Sequence, residues 1–136
     1  YVWDKAGEYR GRCVFLGKLR HNFLQPILEN SYAVVLPSRV DNFPNACTES
    51  MAKGKIVIGT RGASFDQLIE DNKNGFLCEI KKPDSLLDAV NKALSLSPSI
   101  KKKIELAARN TVRRLDHNKI AKEFEALYIK AIKKRK

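Results

Sequence analysis

Residues 36–75 read LPSRVDNFPNACTESMAKGKIVIGTRGASFDQLIEDNKNG, and this stretch indicates the fold and a site together. A polar loop and a short helical segment lie in it between two apolar, β-branched segments. Two carboxylates, Asp41 and Glu49, lie on either side of the start of the helical segment. In an open α/β sheet, ligands bind where the carboxyl end of a strand meets the N-terminus of the next helix. The stretch therefore predicts a binding site rather than a surface connection.

Four short apolar segments predict the strands of a parallel sheet. Most of them are near-continuous runs of β-branched or large apolar residues without alternation, which is typical of strands covered on both faces. Helical segments separate them, so the crossovers are expected to be right-handed and the sheet doubly wound. The four segments are Cys13–Gly17, Ala33–Pro37, Ile56–Thr60 and Gly75–Ile80.

Apolar spacing and capping residues predict the helices. Among the strands these are His21–Asn30, Asn45–Lys53 and Ser64–Glu70, the last with Ser64 and Gln67 in capping-box spacing. We expect an α/β fold with a partial Rossmann-like parallel sheet of about four strands, flanked by helices. Residues 1–136 are interpreted as one domain, with the β/α part in residues 1–80.

A helical tail is expected in residues 81–136. Pro83 and Pro98 each begin a helix, and Asp116 is placed to N-cap a third. The apolar residues of this third helix share one stripe. Its members are Ile120, Phe124, Leu127, Tyr128 and Ile132.

The chain is basic, with 26 Lys and Arg against 15 Asp and Glu and a formal net charge of +11. Much of the excess lies in the helical tail, for example in Lys101–Lys103 and in residues 130–136. Such a surface permits contact with anionic membranes or nucleic acid. Because no aromatic residues interleave with these lysines and no nucleic-acid module signature is present, we expect an anionic membrane surface and no specific nucleic acid.

The three cysteines are odd in number and widely spaced, at Cys13, Cys47 and Cys78. This pattern is typical of buried thiols in a reducing compartment, so we expect a cytoplasmic protein. The basic helices at the C-terminal end favour a peripheral position at the inner face of the membrane. No CxxC or HxxxH spacing occurs, and a metal site is therefore not expected.

Five linked elements resemble the C-terminal, nucleotide-sugar-binding domain of retaining glycosyltransferases of the GT-B fold, in the family called group 1 or family 4. They are the CVFLGKL segment from Cys13, Pro37-Ser38, the acidic motif from Asp41 to Glu49, the segment from Glu49 to Ile58, and Asn74-Gly75-Phe76-Leu77. The acidic motif corresponds to the family's E-x7-E. An isolated motif of this kind would say little, but five elements in the right order are specific.

The resemblance implies transfer of a sugar from a nucleoside-diphosphate donor to a glycan or lipid-linked acceptor, without a cofactor or bound metal. It assigns contact with the transferred sugar to Asp41, as the catalytic residue, and contact with the donor ribose to Glu49. A carboxylate can accept two hydrogen bonds, which suits the two hydroxyls of a ribose. By resemblance, the loop at Gly17 and Lys18 lines the nucleotide side.

The backbone between the two acids opens a helix, and helix N-termini bind anions. We therefore expect it to contact the diphosphate and the sugar. The residues of this segment are Asn42, Phe43, Pro44, Asn45, Ala46 and Cys47.

Two departures from the family pattern leave alternatives open. The first acid is Asp41 rather than a glutamate, and Gln67 stands where many relatives have a glutamate. Asp41 could instead cap the following helix, and Glu49 could form a surface pair with Lys53 four residues on. For His21, His117 and Trp3 we expect packing or surface roles. The alternative function is a non-catalytic nucleotide-binding or interaction module on the same fold.

By resemblance, the complete domain has six strands in the order 3-2-1-4-5-6, and the four predicted here correspond to the third through the sixth. We therefore expect an incomplete donor-binding domain whose partner is an N-terminal acceptor domain. Alone it should not transfer sugar and should bind the donor weakly. Its Cys13–Gly17 strand would pair directly with Ala33–Pro37, dock elsewhere, or meet strands of another chain.

Overall fold

The computed structural model describes residues 2–133, without the side chains of Val2, Trp3 and His117. The roles expected for Trp3 and His117 thus lie outside the described part. The elements follow in chain order: α1 Val2–Ala6, a 3-10 helix Gly7–Arg12, α2 His21–Asn30, β1 Ala33–Leu36, α3 Asn45–Ala52, β2 Ile56–Thr60, a 3-10 helix Phe65–Gln67, β3 Phe76–Cys78, α4 Pro83–Leu94, α5 Pro98–Arg113 and α6 His117–Lys133.

The sheet of the described residues has three parallel strands in the order β1-β2-β3. Val34 pairs with Val57 across the first ladder, and Ile58 pairs with Phe76 across the second. All five residues of β2, the central strand, are buried. A parallel sheet flanked by helices, followed by a helical tail, confirms the predicted α/β class.

Helices cover the sheet on both faces, as the unbroken apolar strands predicted. Successive side chains of a strand point to opposite faces, so Val57 and Ile58 join different clusters. Val57 packs with Met51 of α3 and with Phe65, whereas Ile58 packs with Ala89 of α4. The long helix α5 contributes to both clusters.

The predicted strand Cys13–Gly17 is wrong. Residues 13–20 belong to no helix or strand, and the side chains of Val14, Phe15 and Leu16 are all at least half exposed. A parallel strand needs a neighbour that supplies its hydrogen bonds. Among residues 2–133, the β1 edge receives no strand from this segment, so these residues form no part of the sheet.

The predicted helix Ser64–Glu70 is only one 3-10 turn, Phe65–Gln67, and its capping box is absent. An N-cap residue has an extended backbone, but Ser64 has φ 64°, in the left-handed region. Its hydroxyl bonds elsewhere, to the backbone carbonyl of Asp41. The capping pattern therefore predicted the start of a helix that tertiary contacts do not allow.

The remaining helices agree with prediction within one to a few residues at their ends. Asp116 caps α6, because its carboxylate accepts the backbone N–H groups of Asn118 and Lys119 at 3.0 and 3.2 Å. Beyond Ile120, the predicted apolar stripe of α6 is exposed: Leu127 and Tyr128 are 63% and 67% exposed. In the part of the chain that the structure describes, no helix is long and apolar enough to cross a bilayer.

Candidate functional site

A cavity of about 300 Å³ lies at the carboxyl end of β1, where the chain turns toward α3. The end of the strand and residues 37–38 form one wall, and Asp41, Pro44 and Ala46 form another. Phe65, one of the largest fully buried side chains, completes the lining. The cavity therefore lies where the sequence placed a ligand crevice, with the first of the two acids in its wall.

The loop between β1 and α3, residues 37–44 and named the acidic loop below, carries Asp41 and is fixed by hydrogen bonds, one of them from the loop after β2. Ser64 donates a 2.6 Å hydrogen bond to the Asp41 carbonyl, and Ser38 donates a 3.2 Å bond to the carbonyl of Val40. These bonds engage the loop backbone and leave the Asp41 carboxylate without a hydrogen-bond partner among the described residues. The carboxylate is thus available to a ligand, and the alternative that it caps α3 receives no support.

The N-terminus of α3 has open backbone donors. Pro44 is the N-cap, and no side chain caps the helix. The Pro44 carbonyl accepts the N–H groups of Cys47 and Thr48 at 2.9 and 3.2 Å. Within residues 2–133 no acceptor lies against the N–H groups of Asn45 and Ala46. Two donors and the positive end of the helix dipole therefore face the approach to the cavity.

Cys47 belongs to the core rather than to the ligand surface. Its thiol is fully buried and lies 3.6 Å from the Met51 sulfur. Burial, and secondly the negative charge of Asp41, raise the pKa of the Cys47 thiol to about 12. Its backbone N–H is also occupied, because it donates to the Pro44 carbonyl. Neither the thiol nor the N–H group of Cys47 is therefore free to bind a ligand as predicted.

Glu49 lies in the second turn of α3 and does not line the cavity. Its carboxylate is 3.6 Å from the His21 ring nitrogen Nε2, and both side chains are substantially exposed. The alternative partner, Lys53, bonds instead to Glu29 of α2 at 2.6 Å. The structure thus brings His21 to the second acid, a contact that sequence reasoning missed, because it arises only when α2 packs beside α3.

The other predicted site residues are distributed unevenly. Asn42 and Phe43 are exposed and do not line the cavity. Gly17 and Lys18 lie in the irregular segment of residues 13–20, are exposed, and do not line the cavity. Among the described residues, no three His, Cys, Asp or Glu side chains converge as metal ligands would.

Comparison with known proteins identifies the family. The model of the glycosyl transferases group 1 family matches residues 3–111. The chain belongs to this family. The predicted resemblance to GT-B glycosyltransferases is therefore confirmed at the level of the family and its fold.

The sequence relatives of this group 1 chain are remote, and a solved structure of low identity has a similar fold. An uncharacterized glycosyltransferase of Methanocaldococcus jannaschii is 27% identical over 88% of the chain, and the N-acetyl-alpha-D-glucosaminyl L-malate synthase of Bacillus anthracis is 26% identical over 86%. The chain spans 30% of the length of each. The crystal structure of a glycosyltransferase from Rickettsia africae has a TM-score of 0.84 at 22% identity, and the match covers 97% of this chain and 36% of that one.

Proposed function

We propose that this chain binds a nucleoside-diphosphate sugar, for retaining transfer of the sugar to a glycan or lipid-linked acceptor. One observation carries the proposal: a cavity lined by Asp41 lies beside an uncapped helix N-terminus at the carboxyl end of a parallel strand. A sugar with its hydroxyls and a diphosphate with its charge need these two features side by side.

Each group has a distinct role in this proposal. The Asp41 carboxylate accepts hydrogen bonds from hydroxyls of the transferred sugar in the cavity. The N–H groups of Asn45 and Ala46 stabilise the charge that develops on the departing diphosphate. Glu49, about one turn further along α3, accepts the two ribose hydroxyls. Positioning and charge stabilisation then lower the barrier without an enzyme nucleophile, since the raised pKa of Cys47 keeps that thiol protonated.

The rest of the reaction needs groups that this chain does not supply in the described residues. The relatives are about three times as long as this chain, which spans 30% of each of them. This length and the family assignment favour a separate acceptor domain as partner. The name of the Bacillus anthracis relative specifies L-malate, whereas our proposal extends to glycan and lipid-linked acceptors. The basic helices α5 and α6 favour a position at an anionic cytoplasmic membrane face.

The test is a titration of the ¹⁵N-labelled 136-residue chain with nucleoside-diphosphate glucoses that differ in the base. We expect weak binding, with amide shifts concentrated in residues 41–49, and no sugar transfer by the chain alone. Asp41→Asn and Glu49→Gln should each abolish these shifts. Matched controls that remove the same charge on exposed helix positions, Asp88→Asn and Glu123→Gln, should leave them unchanged. Shifts that ignore Asp41 and Glu49 would contradict the proposal.

A second function has one observation in its favour. The contact between Glu49 and His21 gives the second acid a structural partner, as a non-catalytic interaction module that kept the fold would use it. That alternative predicts no saturable shifts with any nucleotide sugar, in the wild type as well as in the variants. Saturable binding that depends on the base would exclude an inert module.

A further inference from the structure

A second cavity, of about 350 Å³, lies beside the first at the carboxyl ends of all three strands. The two cavities share Pro37 and Ser38, so a ligand in one lies a short distance from a ligand in the other. Its volume is in the range of small-molecule sites. The donor roles proposed above leave this second cavity without an occupant.

Three basic side chains line the second cavity: Arg39 from the acidic loop, and Lys81 and Lys82 from the turn after β3. Among residues 2–133, none of these three side chains has an ion pair or a hydrogen bond. The acidic residue of the lining, Glu79, is already paired, because its carboxylate accepts a 3.0 Å hydrogen bond from Nε of Arg61. The cavity thus has an excess of positive charge without an internal partner.

The backbone at Lys81 supports a role for its side chain. The turn from Glu79 closes with a 3.4 Å bond from the Lys82 N–H to the Glu79 carbonyl, and Lys81 is its third residue. Lys81 has φ 58°, a conformation in which glycine or asparagine is favoured at this turn position. Strained backbone of this kind is commonly retained where a side chain is needed for binding.

We propose that the second cavity binds the anionic group, a phosphate or a carboxylate, of the acceptor substrate, and that the partner acceptor domain supplies the remaining contacts to that molecule. This rests on the donor-binding function proposed above, since the shared wall places that group next to the sugar to be transferred. The cationic side chains hold the charge through charge-assisted hydrogen bonds. Pro83 and Leu86, on the helix side of the cavity, contact the carbon part of the same molecule.

The experiment follows amide shifts of the 136-residue chain with glycerol 3-phosphate and succinate as anionic probes and glycerol as the neutral one. We expect saturable shifts at Ser38, Arg39, Lys81 and Lys82 with the anions and none with glycerol. The double variant K81Q/K82Q should weaken binding about tenfold, because two charge-assisted contacts are lost. The control K102Q/K103Q removes the same charge from exposed positions of α5 and should change binding less than about twofold.

Two further arms identify the source of the anion and separate this proposal from the donor site. Vesicles of phosphatidic acid replace glycerol 3-phosphate, and retention that depends on Lys81 and Lys82 would assign the group to a lipid-borne phosphate rather than a soluble one. Nucleoside-diphosphate sugar is titrated into K81Q/K82Q, where we expect the shifts of residues 41–49 to persist.

Equal effects of the K81Q/K82Q and K102Q/K103Q variants would overturn the proposal, because bulk charge would then explain the binding. Anion-induced shifts confined to Asn45 and Ala46 would overturn it as well, since the anion would then occupy the donor site. Saturable donor binding without anion binding at Lys81 and Lys82 would contradict this inference alone. Anion binding there without any donor binding would contradict the proposed function and leave the cavity an anion site.

Discussion

Ser64 and Asp41 are joined by a 2.6 Å hydrogen bond from the serine hydroxyl to the aspartate backbone carbonyl, across 23 residues of sequence. The bond ties the loop after β1 to the loop after β2. Ser64 makes it from a left-handed backbone conformation, which costs a residue with a side chain about 1–2 kcal/mol relative to the right-handed region. The strained backbone of Ser64 is therefore retained together with a hydrogen bond that fixes the loop of the proposed catalytic residue, Asp41.

This hydrogen bond predicts that substitutions of Ser64 affect the free energy of unfolding and donor binding to different extents. Ser64→Ala should lower the free energy of unfolding by about 1 kcal/mol, the usual value of a partly buried hydrogen bond. Ser64→Gly loses the same bond but relieves the strained φ, so its unfolding free energy should stay near that of the wild type. Both variants should broaden or lose the donor-induced shifts at Asp41. Urea unfolding and the nucleotide-sugar titration measure the two effects.

The control for the Ser64 variants is Ser95→Ala, which removes a serine hydroxyl that bonds to the Asn91 carbonyl at the exposed end of α4. It should leave donor shifts unchanged. If Ser64→Gly binds donor as well as the wild type does, the bond to Asp41 does not organise the site.

The second prediction concerns the pair of Glu49 and His21, which lie 3.6 Å apart with side chains 41% and 68% exposed. Exposed ion pairs contribute about 0–1 kcal/mol, so Glu49→Gln and His21→Gln should each change the unfolding free energy by less than that. Only Glu49→Gln should remove donor binding if the carboxylate receives the ribose. Binding lost equally in both variants would show that the pair, rather than the acid alone, forms the nucleotide contact. Circular dichroism in urea and titration with a nucleoside diphosphate measure the two quantities.

The sequence was sufficient wherever a local pattern and its tertiary environment agree. The run from Ile56 to Thr60 reads as a strand buried on both faces, and it is one, because β1 and β3 supply its ladders. Residues 13–17 carry the same local pattern but have no neighbouring strand among the described residues, so the pattern predicted a strand that the fold does not form. Strand propensity depends on a partner that the strand itself does not encode.

In the candidate site, too, the sequence predicted the features that depend on chain order but not the contacts between distant elements. The position of Asp41 at the carboxyl end of a strand followed from chain order, and the cavity lies there. The contact of Glu49 with His21 and the bond of Ser64 to the acidic loop did not follow, because each joins elements far apart in sequence. The Ser64 pattern was even misleading, since its capping-box spacing predicts a local bond that the tertiary bond replaces.

Asn74 gives a prediction about the turn that leads into β3. Its side chain is 3% exposed and fully bonded: the amide oxygen accepts the Glu70 N–H at 2.8 Å, and the amide nitrogen donates to the Leu68 carbonyl and the Thr111 hydroxyl. Asn74→Ala leaves these buried groups unsatisfied and should cost about 2–4 kcal/mol of unfolding free energy.

Asn74→Asp offers a finer version of this test. It keeps the acceptor for Glu70 but removes the donor to Leu68 and Thr111 and buries a charge, so it should destabilise at least as much as alanine at neutral pH. The exposed Asn91→Ala in α4 is the control and should stay within about 0.5–1 kcal/mol of the wild type. Urea unfolding followed by fluorescence measures all three variants, and a harmless Asn74→Ala would show that the turn does not depend on these bonds.

The last prediction follows from the pKa of the Cys47 thiol, which the fold raises from the ordinary cysteine value of 9.0 to about 12. Between these values the unfolded state releases the thiol proton and the folded state keeps it. Unfolding is then favoured as the pH rises, by about 1.4 kcal/mol for each pH unit once the unfolded thiol is ionised. The stability contributed by the protonated thiol is complete below pH 9 and decreases above it.

The measurement compares the wild type with Cys47→Ala by urea unfolding from pH 7 to 10.5, so that ionisations common to both proteins cancel. At pH 7 the wild type should be the more stable, because alanine leaves a small void beside Met51. Its advantage should diminish as the pH rises past 9, whereas Cys13→Ala, at an exposed thiol, should track the wild type throughout. An advantage that stays constant up to pH 10.5 would mean that the thiol ionises as readily in the fold as outside it, which would contradict the burial that mainly raises its pKa.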